Sequence, residues 1–284
     1  MNNYDEVLGS NKSFDKNEWK KQKQEERQND YNLAEETAGK IQKSMPEFQK
    51  YLDIQSRFDK YSVNNALLIL AQRPDATRIK DSEDWRKDKV SILKGEKGFT
   101  ILEPGENYTR PDGTQATYFN PKKEFDITQT NSKYKERVVN YDDKTLLQAF
   151  LNECPVDVKA VDNLAGNVIW SKEDNVLYIR KGLDSPQLFR SLSKELATIE
   201  FDDGSNQLKD FKSYCVSYMI CKKYNIDVKD YKYNDIPQAL KDLDTKEFKN
   251  ELSNIRESMT DVNSRMGNYF ESISKENRNK EQER

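Results

Sequence analysis

The chain has 284 residues, of which 35% are hydrophobic and 34% charged, and its mean hydropathy is −1.03. Its 47 basic and 50 acidic residues nearly cancel, which excludes both a uniformly basic nucleic-acid coat and a strongly acidic mimic of DNA. The sequence contains no histidine, so Ser-His-Asp and Cys-His catalysis and histidine-ligated zinc are excluded as well.

Length and cysteine usage narrow the class further. At roughly 150 residues per domain, the length predicts two domains. No run of about 18 apolar residues is present, and the N-terminal residues lack the apolar core of a signal peptide, so we expect neither a membrane span nor secretion. Cys154, Cys215 and Cys221 form no CxxC pair, which is typical of a reduced cytoplasmic protein without a zinc knuckle.

The first part of the chain is predicted to be helical. Residues 1–30 form a charged arm that is either a solvated helix or a functional tail. Apolar residues recur every three or four positions over 31–58, which predicts an amphipathic helix with a kink or a new first turn at Pro46. A second helix is expected over 60–73, with Ser62 as its N-cap.

Strand signals follow a third, short helix that begins near Ser82. Residues 90–104 contain two β-type runs separated by a glycine-containing turn at 94–98, which predicts a hairpin or a strand–turn–strand unit. A further turn is expected at 110–113 and another strand within 119–130.

The second half shows a new set of elements after a polar link at 131–145. The expected elements are helix 144–153, strand 156–161, a hairpin of 168–170 and 176–179, helix 185–201 and helix 207–224. We expect Ser185 to be the N-cap of helix 185–201, with Pro186 at the first helical position.

The C-terminal segment carries the clearest periodicity of the chain. Its apolar positions are Phe248, Leu252, Ile255, Met259, Val262, Met266, Tyr269 and Ile273. This seven-residue repeat predicts a long helix. The helix either packs on its own domain or forms a coiled coil with a second copy or a partner protein.

Together these elements predict an α+β fold. The expected units are the arm 1–30, a helical and small antiparallel-sheet domain over 31–131, an α+β domain over 144–245, and the heptad-patterned helix with a polar tail over 246–284.

Cations, rings and amides are interleaved between residues 57 and 97. Proteins that bind single-stranded DNA need cations along the phosphate backbone and flat rings on which bases stack. The candidate residues are Arg57, Tyr61, Asn64, Asn65, Gln72, Arg73, Arg78, Trp85, Arg86, Lys87, Lys94 and Lys97. Alternatively, Tyr61 and Trp85 are core aromatics and the lysines form a solvated surface.

Four pieces of this region carry a family resemblance: RFDKYSVNNALLILAQRPDATRI, Trp85, ILKGEKGFTILEP and EFDITQT. In this order and at this spacing they resemble the N-terminal domain of ArdC-type antirestriction proteins, including the LtrC-like proteins of Gram-positive conjugative elements. The resemblance implies that the region binds single-stranded DNA.

The second half resembles the C-terminal domain of the same family, which has a zincin-like metallopeptidase fold. Its active helix carries His-Glu-x-x-His, in which two histidines hold the metal and the glutamate activates water. Here the frame reads Lys194-Glu195-Leu196-Ala197-Thr198. The acidic third ligand of the family falls at Tyr214. Lysine is protonated at neutral pH and a threonine hydroxyl does not replace imidazole, so we expect a pseudo-peptidase with no metal and no cofactor.

The sequence therefore predicts a cytoplasmic single-stranded-DNA-binding protein of a mobile, conjugative element, with an antirestriction or strand-handling role and a catalytically dead peptidase-like domain. One alternative is a dimerising or partner-binding scaffold that works through the C-terminal helix. Another, motivated by the retained Glu195, is an active metallopeptidase.

Overall fold

The computed structural model describes residues 16–133, 141–202, 208–229, 231 and 233–282. The first half of the arm and residues 134–140 of the predicted link lie outside these residues. The helices are α1 (Lys16–Ile41), α2 (Met45–Arg57), α3 (Val63–Gln72), α4 (Ser82–Lys87), α5 (Asp143–Leu151), α6 (Ser185–Glu200), α7 (Lys209–Lys223), α8 (Gln238–Lys241) and α9 (Thr245–Gln282). The strands are β1 (Ile79–Lys80), β2 (Phe99–Thr109), β3 (Gln115–Asp126), β4 (Asp157–Val161), β5 (Val168–Ser171) and β6 (Val176–Arg180). The predicted α+β class is confirmed.

The first three helices follow the predicted pattern closely. The apolar stretch over 31–58 is divided between α1 and α2, and Pro46 lies in the first turn of α2, where its missing N–H leaves no bond unmade. Ser62 caps α3, because its hydroxyl accepts a hydrogen bond from the main chain of Asn65 at 3.3 Å. The arm residues from Lys16 onward are helical and belong to α1.

The first sheet has the strand order β1-β3-β2 and is antiparallel. Its hairpin joins β2 to β3 through the predicted turn at 110–113, where Gly113 has a positive φ of 84°. The hairpin or strand–turn–strand unit predicted around 94–98 is wrong. Residues 90–93 contribute only one isolated bridge, between Ile92 and Thr130, since β3 already has β1 and β2 as neighbours.

The end of β3 also differs from the predicted strand. The strand stops at Asp126, whose carboxylate accepts from the main chain of Thr128 and caps a short 3-10 turn over Ile127–Gln129. This turn then holds the loop before β2, because Gln129 accepts from Leu93 and donates to the Lys97 carbonyl at 2.9 Å each.

The second sheet has the order β4-β6-β5, with β4 parallel to β6 and the predicted hairpin between β5 and β6. Helix α6 follows the sheet. Its N-cap is Asp184 rather than Ser185, because the Asp184 carboxylate accepts from the main chain of Gln187 at 2.7 Å. Ser185 and Pro186 therefore occupy its first turn, each one position further into the helix than expected.

Helix α9 packs along the other helices of its own chain. The six seam residues from Phe248 to Met266 are buried, and Tyr269 and Ile273 are half-buried against the same core. The Phe48 ring on α2 lies 5.4 Å from Phe211 on α7 and 6.4 Å from Phe248 on α9, measured between ring centroids. One hydrophobic core thus connects the predicted units, and a coiled coil through this seam would require α9 to leave it. No helix within the described ranges is long and apolar enough to span a membrane.

Candidate functional site

Two of the candidate amides belong to the scaffold. Asn65 and Gln72 lie seven residues apart on α3, about two turns, and therefore on one face. Asn65 donates to the Leu102 carbonyl at 2.9 Å and accepts from the Leu102 N–H at 2.8 Å. Gln72 makes the same pair of bonds with Thr100, at 2.9 and 3.0 Å. The expectation that these two amides read bases does not fit the structure, because both are used to complete the free edge of β2.

Trp85 is also a scaffold residue. Its side chain is 1% exposed, and its indole N–H donates to the Phe125 carbonyl at 2.9 Å. The Arg78 guanidinium and the Lys80 ammonium lie 5.4 and 5.7 Å from the centre of its rings. Stacking of Trp85 on a base therefore does not fit the structure, because the ring is enclosed by the sheet and these cations.

Two candidate arginines hold the chain between α3 and β1. Arg57 donates to the carbonyls of Ala76 and Pro74 at 2.6 and 3.0 Å. Arg73 donates to the Thr128 hydroxyl at 3.0 Å. Both guanidinium groups are thus committed to fixing this loop against α2 and the end of the sheet.

Two further candidate cations are paired with carboxylates. Arg78 lies 3.3 Å and Lys80 2.7 Å from the Asp88 carboxylate. Lys87 pairs with Asp84 on the same helix at 2.7 Å. These pairs are largely exposed to solvent, so they are weak and would exchange easily for a phosphate.

The remaining cations form what we call the cationic segment, residues 86–97. Arg86, Lys89, Lys94 and Lys97 are exposed, and none of them pairs with a carboxylate in the described part of the chain. The segment begins in α4 and runs to β2, and sequence reasoning included three of these four residues. Asn64 on α3 is half-exposed.

A cleft of about 450 Å³ lies between α3, α4 and the first sheet. Its lining includes the half-buried rings of Tyr61 and Phe119 and the exposed Lys60. The Tyr61 ring packs edge-on against Phe58 at 5.8 Å, and burial raises the pKa of Tyr61 to about 12. Tyr61 is therefore the one predicted ring that borders an open space.

Glu124 lines this cleft, although its sequence did not mark it as a candidate. Glu124 is 4% exposed, and its Oε2 has no hydrogen-bond partner among the described residues. Lys122 stays 3.9 Å away, because its ammonium lies 3.0 Å from both Asp81 and Glu103. Burial raises the pKa of Glu124 to about 7. The only available signal was weak: charged residues alternate at 122, 124 and 126, a pattern typical of a solvent-facing strand.

A second feature missed from the sequence is a pair of stacked rings on the hairpin. Tyr108 and Tyr118 lie on adjacent strands with ring centroids 4.1 Å apart. Tyr118 is 45% exposed, and the Arg27 guanidinium of α1 lies 5.4 Å from its centroid. The arrangement places a cation and two flat rings at the surface.

The peptidase-like frame lies on α6, with α7 packed against it. Lys194 pairs with Asp210 of α7 at 2.6 Å, and the Tyr233 hydroxyl donates to the same carboxylate at 2.8 Å. Thr198 donates to Ser213 at 3.0 Å. Both positions that carry histidine in the family motif are thus committed to contacts between the helices.

Glu195 and the position of the family's third ligand, Tyr214, do not form a metal site either. Tyr214 is buried in an aromatic cluster with Phe211, Tyr218, Tyr231 and Tyr233. Glu195 is half-buried, and burial raises its pKa, although a main-chain hydrogen bond from Trp170 opposes the shift. The described residues contain no group of three or more Cys, Asp or Glu that could hold a metal ion. The residues present therefore do not fit the zinc of a zincin.

The fold and these two regions define an α+β protein with a cationic segment, an adjoining cleft and a peptidase-like frame without metal ligands. No protein-family model and no curated protein matches the sequence. Among solved structures, the chain is similar to the metal-free antirestriction protein ArdC from plasmid R388, with 15% identity over 73% of this chain and 86% of that chain and a TM-score of 0.49. The chain is also similar to the Mn(II)-bound structure of that protein, with 13% identity over 74% of this chain and 84% of that chain and a TM-score of 0.49.

Both structures belong to the family that the sequence motifs resemble.

Proposed function

We propose that the chain binds single-stranded DNA, and that the cationic segment and the adjoining cleft form the binding surface. The observation that carries this proposal is the presence of four exposed cations over residues 86–97 without a carboxylate partner in the described ranges. In a chain of net charge −3, such a cluster favours a local, patch-based interaction with phosphates. Helix α4 joins the two parts, since Asp84 lines the cleft and Arg86 begins the segment.

Exposed and half-buried rings supply the second requirement of a single-strand binder. Bases stack on aromatic side chains regardless of sequence, at about 1–3 kcal/mol per base. Tyr61 and Phe119 border the cleft, and Tyr108 and Tyr118 extend the ring-bearing surface along the hairpin. Trp85 has no part in this surface.

A charge-matched pair of double variants tests the proposal. We expect Lys94→Ala/Lys97→Ala to weaken binding of a fluorescent single-stranded oligonucleotide and to reduce the slope of log affinity against log salt by about 1.4, or 0.7 per phosphate contact. The control is Lys43→Ala/Lys246→Ala, which removes two exposed lysines on the connection after α1 and on α9. Equal affinities and slopes for the two double variants would contradict the proposed surface.

We further propose that the peptidase-like unit is not an enzyme. The support is that the two histidine positions of the motif already have partners: Lys194 forms an ion pair with Asp210, and Thr198 forms a hydrogen bond with Ser213. In addition, Tyr214 is buried. Protein purified without chelators should contain zinc and manganese well below one ion per chain. A stoichiometric metal, together with a peptidase activity that Glu195→Gln abolishes, would instead support the active metallopeptidase.

The setting that we propose is a mobile, conjugative element, in which the protein has an antirestriction or strand-handling role. The support is the motif resemblance over residues 58–130, which is to a family that includes proteins of conjugative elements. The direct test is the transfer of unmodified plasmid DNA into a restricting host with and without the protein. Transfer frequencies that do not change in either restricting or non-restricting hosts would contradict this role.

A further inference from the structure

We propose that the cleft beside α3 binds a single guanine base, and that the Glu124 carboxylate accepts hydrogen bonds from its N1–H and N2–H groups. This inference rests on the single-strand binding proposed above and identifies the part of the strand that enters the cleft. The occupied cleft would give the protein a base preference that the cationic segment alone does not provide, because phosphate contacts carry no sequence information.

The starting point is the unmet bonding capacity of Glu124. Its side chain is buried, yet Oε2 has no partner among the described residues. Buried polar atoms are nearly always hydrogen-bonded, and each unsatisfied one needs an explanation. Since Lys122 is held closer to Asp81 and Glu103, the acceptor that Glu124 presents is free for a ligand that carries donors.

The charges around the cleft favour a neutral donor group over a phosphate. The groups that face Glu124 are Lys122 on β3, Glu103 on β2, Asp81 and Asp84 at α4, and Tyr61 before α3. Three of these five are carboxylates, so a second anion at the floor of the cleft would be repelled. The exposed Lys60 at the rim is placed better for the phosphate that follows the base.

The shape of the cleft suits a flat ring. Tyr61 and Phe119 contribute aromatic surface, and Ile79 and Ile101 contribute apolar surface. The volume of about 450 Å³ lies within the range of small-ligand sites.

Above the pKa of Glu124, which is about 7, the carboxyl group is ionised, and among the four DNA bases guanine fits this ionised form best. Its Watson–Crick edge presents two adjacent donors, which match the two oxygens of one carboxylate in a bidentate pair. Thymine offers one N–H between two carbonyl oxygens, which a carboxylate would repel. Adenine and cytosine offer a donor next to an acceptor and would require a protonated carboxyl group.

The test compares oligo-dT strands that carry one central base, guanine or inosine, with plain oligo-dT. For the wild-type protein we expect guanine to raise the affinity about tenfold or more over plain oligo-dT, and inosine, which lacks the N2 amino group, to lose most of that gain. In Glu124→Gln the guanine-containing strand should bind no better than plain oligo-dT. Glu106→Gln, which removes the same charge from an exposed hairpin position, should behave as wild type.

Each result separates this inference from the proposed function. Binding of plain oligo-dT with no guanine preference would overturn the guanine site and leave single-strand binding in place. Equal affinities for the guanine and inosine strands would also overturn it, and this comparison needs only wild-type protein, so it holds even if Glu124→Gln fails to fold. Binding of free guanosine monophosphate that depends on Glu124, without any oligonucleotide binding, would support the guanine site and assign it to a free nucleotide.

Discussion

At the residue scale, burial decides which of the chemically suitable side chains are available to a ligand. Trp85 has the largest ring of the candidate surface, but it lies in the core of the first sheet and its N–H is already bonded. For Glu124 the difference runs the other way, because its sequence context predicts a solvent-exposed side chain, whereas the side chain is buried. Residue types could therefore be predicted from the sequence, but not exposure, because exposure depends on which elements pack over a given strand face.

Trp85 is expected to contribute to stability rather than to DNA affinity. We predict that Trp85→Ala lowers the free energy of unfolding by about 3–5 kcal/mol, since it leaves a cavity and an unpaired carbonyl. Trp85→Phe, which keeps part of the buried ring, should lose less. Urea denaturation measures both values, and a Trp85→Ala protein of wild-type stability with reduced DNA affinity would contradict the assignment.

Glu124 should make the stability of the protein depend on pH. Its pKa of about 7 in the folded chain lies above the ordinary value of 4.5, so the folded state holds its proton more tightly than the unfolded state. The stabilisation is full below pH 4.5 and is lost as the pH rises through 7. The charged groups Lys122, Glu103, Asp81 and Asp84 contribute to the same equilibrium.

Glu124→Gln removes this dependence. Relative to the Gln variant, we predict that the wild-type protein loses about 1–3 kcal/mol of unfolding free energy between acidic and weakly alkaline pH. Denaturation series on both proteins across that range give the comparison. A constant difference over the whole range would show that Glu124 does not titrate as the burial of its carboxyl group requires.

At the element scale, local sequence signals predicted the helices and most of their first residues, but they did not predict which strands pair. Ser62 and Pro46 mark the starts of α3 and α2 as expected, because caps and first-turn prolines act within a few residues. The turn at 110–113 was predicted correctly, but a hairpin or strand–turn–strand unit was also predicted at 94–98, because both turns contain glycine and only long-range pairing distinguishes them.

The junction of α3 and β2 is an example of such long-range pairing. Asn65 provides both partners for the main chain of Leu102. We predict that Asn65→Ala costs about 2–4 kcal/mol, because it leaves a buried N–H and a buried carbonyl unsatisfied. The half-exposed neighbour Asn64 is the matched control, and Asn64→Ala should change stability by less than about 0.5 kcal/mol.

Amide hydrogen exchange tests the same prediction at the individual residue. In Asn65→Ala the amide of Leu102 should exchange faster, while amides of the second sheet keep their rates. Unchanged protection of Leu102 would mean that another group caps the edge of β2.

At the scale of the whole molecule, α9 joins the two halves into one core. Its heptad pattern was visible in the sequence, but its partner was not, since a seven-residue repeat is equally suited to a second copy and to the chain's own helices. The structure places Phe248, Leu252 and Met259 against the rest of the chain. The cleft could not be predicted for the same reason, because its walls come from α3, α4 and all three strands of the first sheet.

Two truncations test this role of α9. Ending the chain at Lys241 removes the buried seam, and we predict loss of cooperative unfolding. Ending it at Ser274 removes the exposed Lys275 and the residues after it and should change the unfolding free energy by less than about 0.5 kcal/mol. A shorter chain that still unfolds cooperatively, with the full-length protein forming a dimer, would favour the coiled-coil alternative.

The most direct measurement for the whole account is a salt titration of wild-type protein against a single-stranded oligonucleotide and its matched duplex. The account predicts tighter binding of the single strand, with an affinity that falls as salt rises, because exposed cations contact phosphates and the half-buried rings need unpaired bases. Absence of single-strand binding at low salt, or equal affinity for duplex, would contradict it.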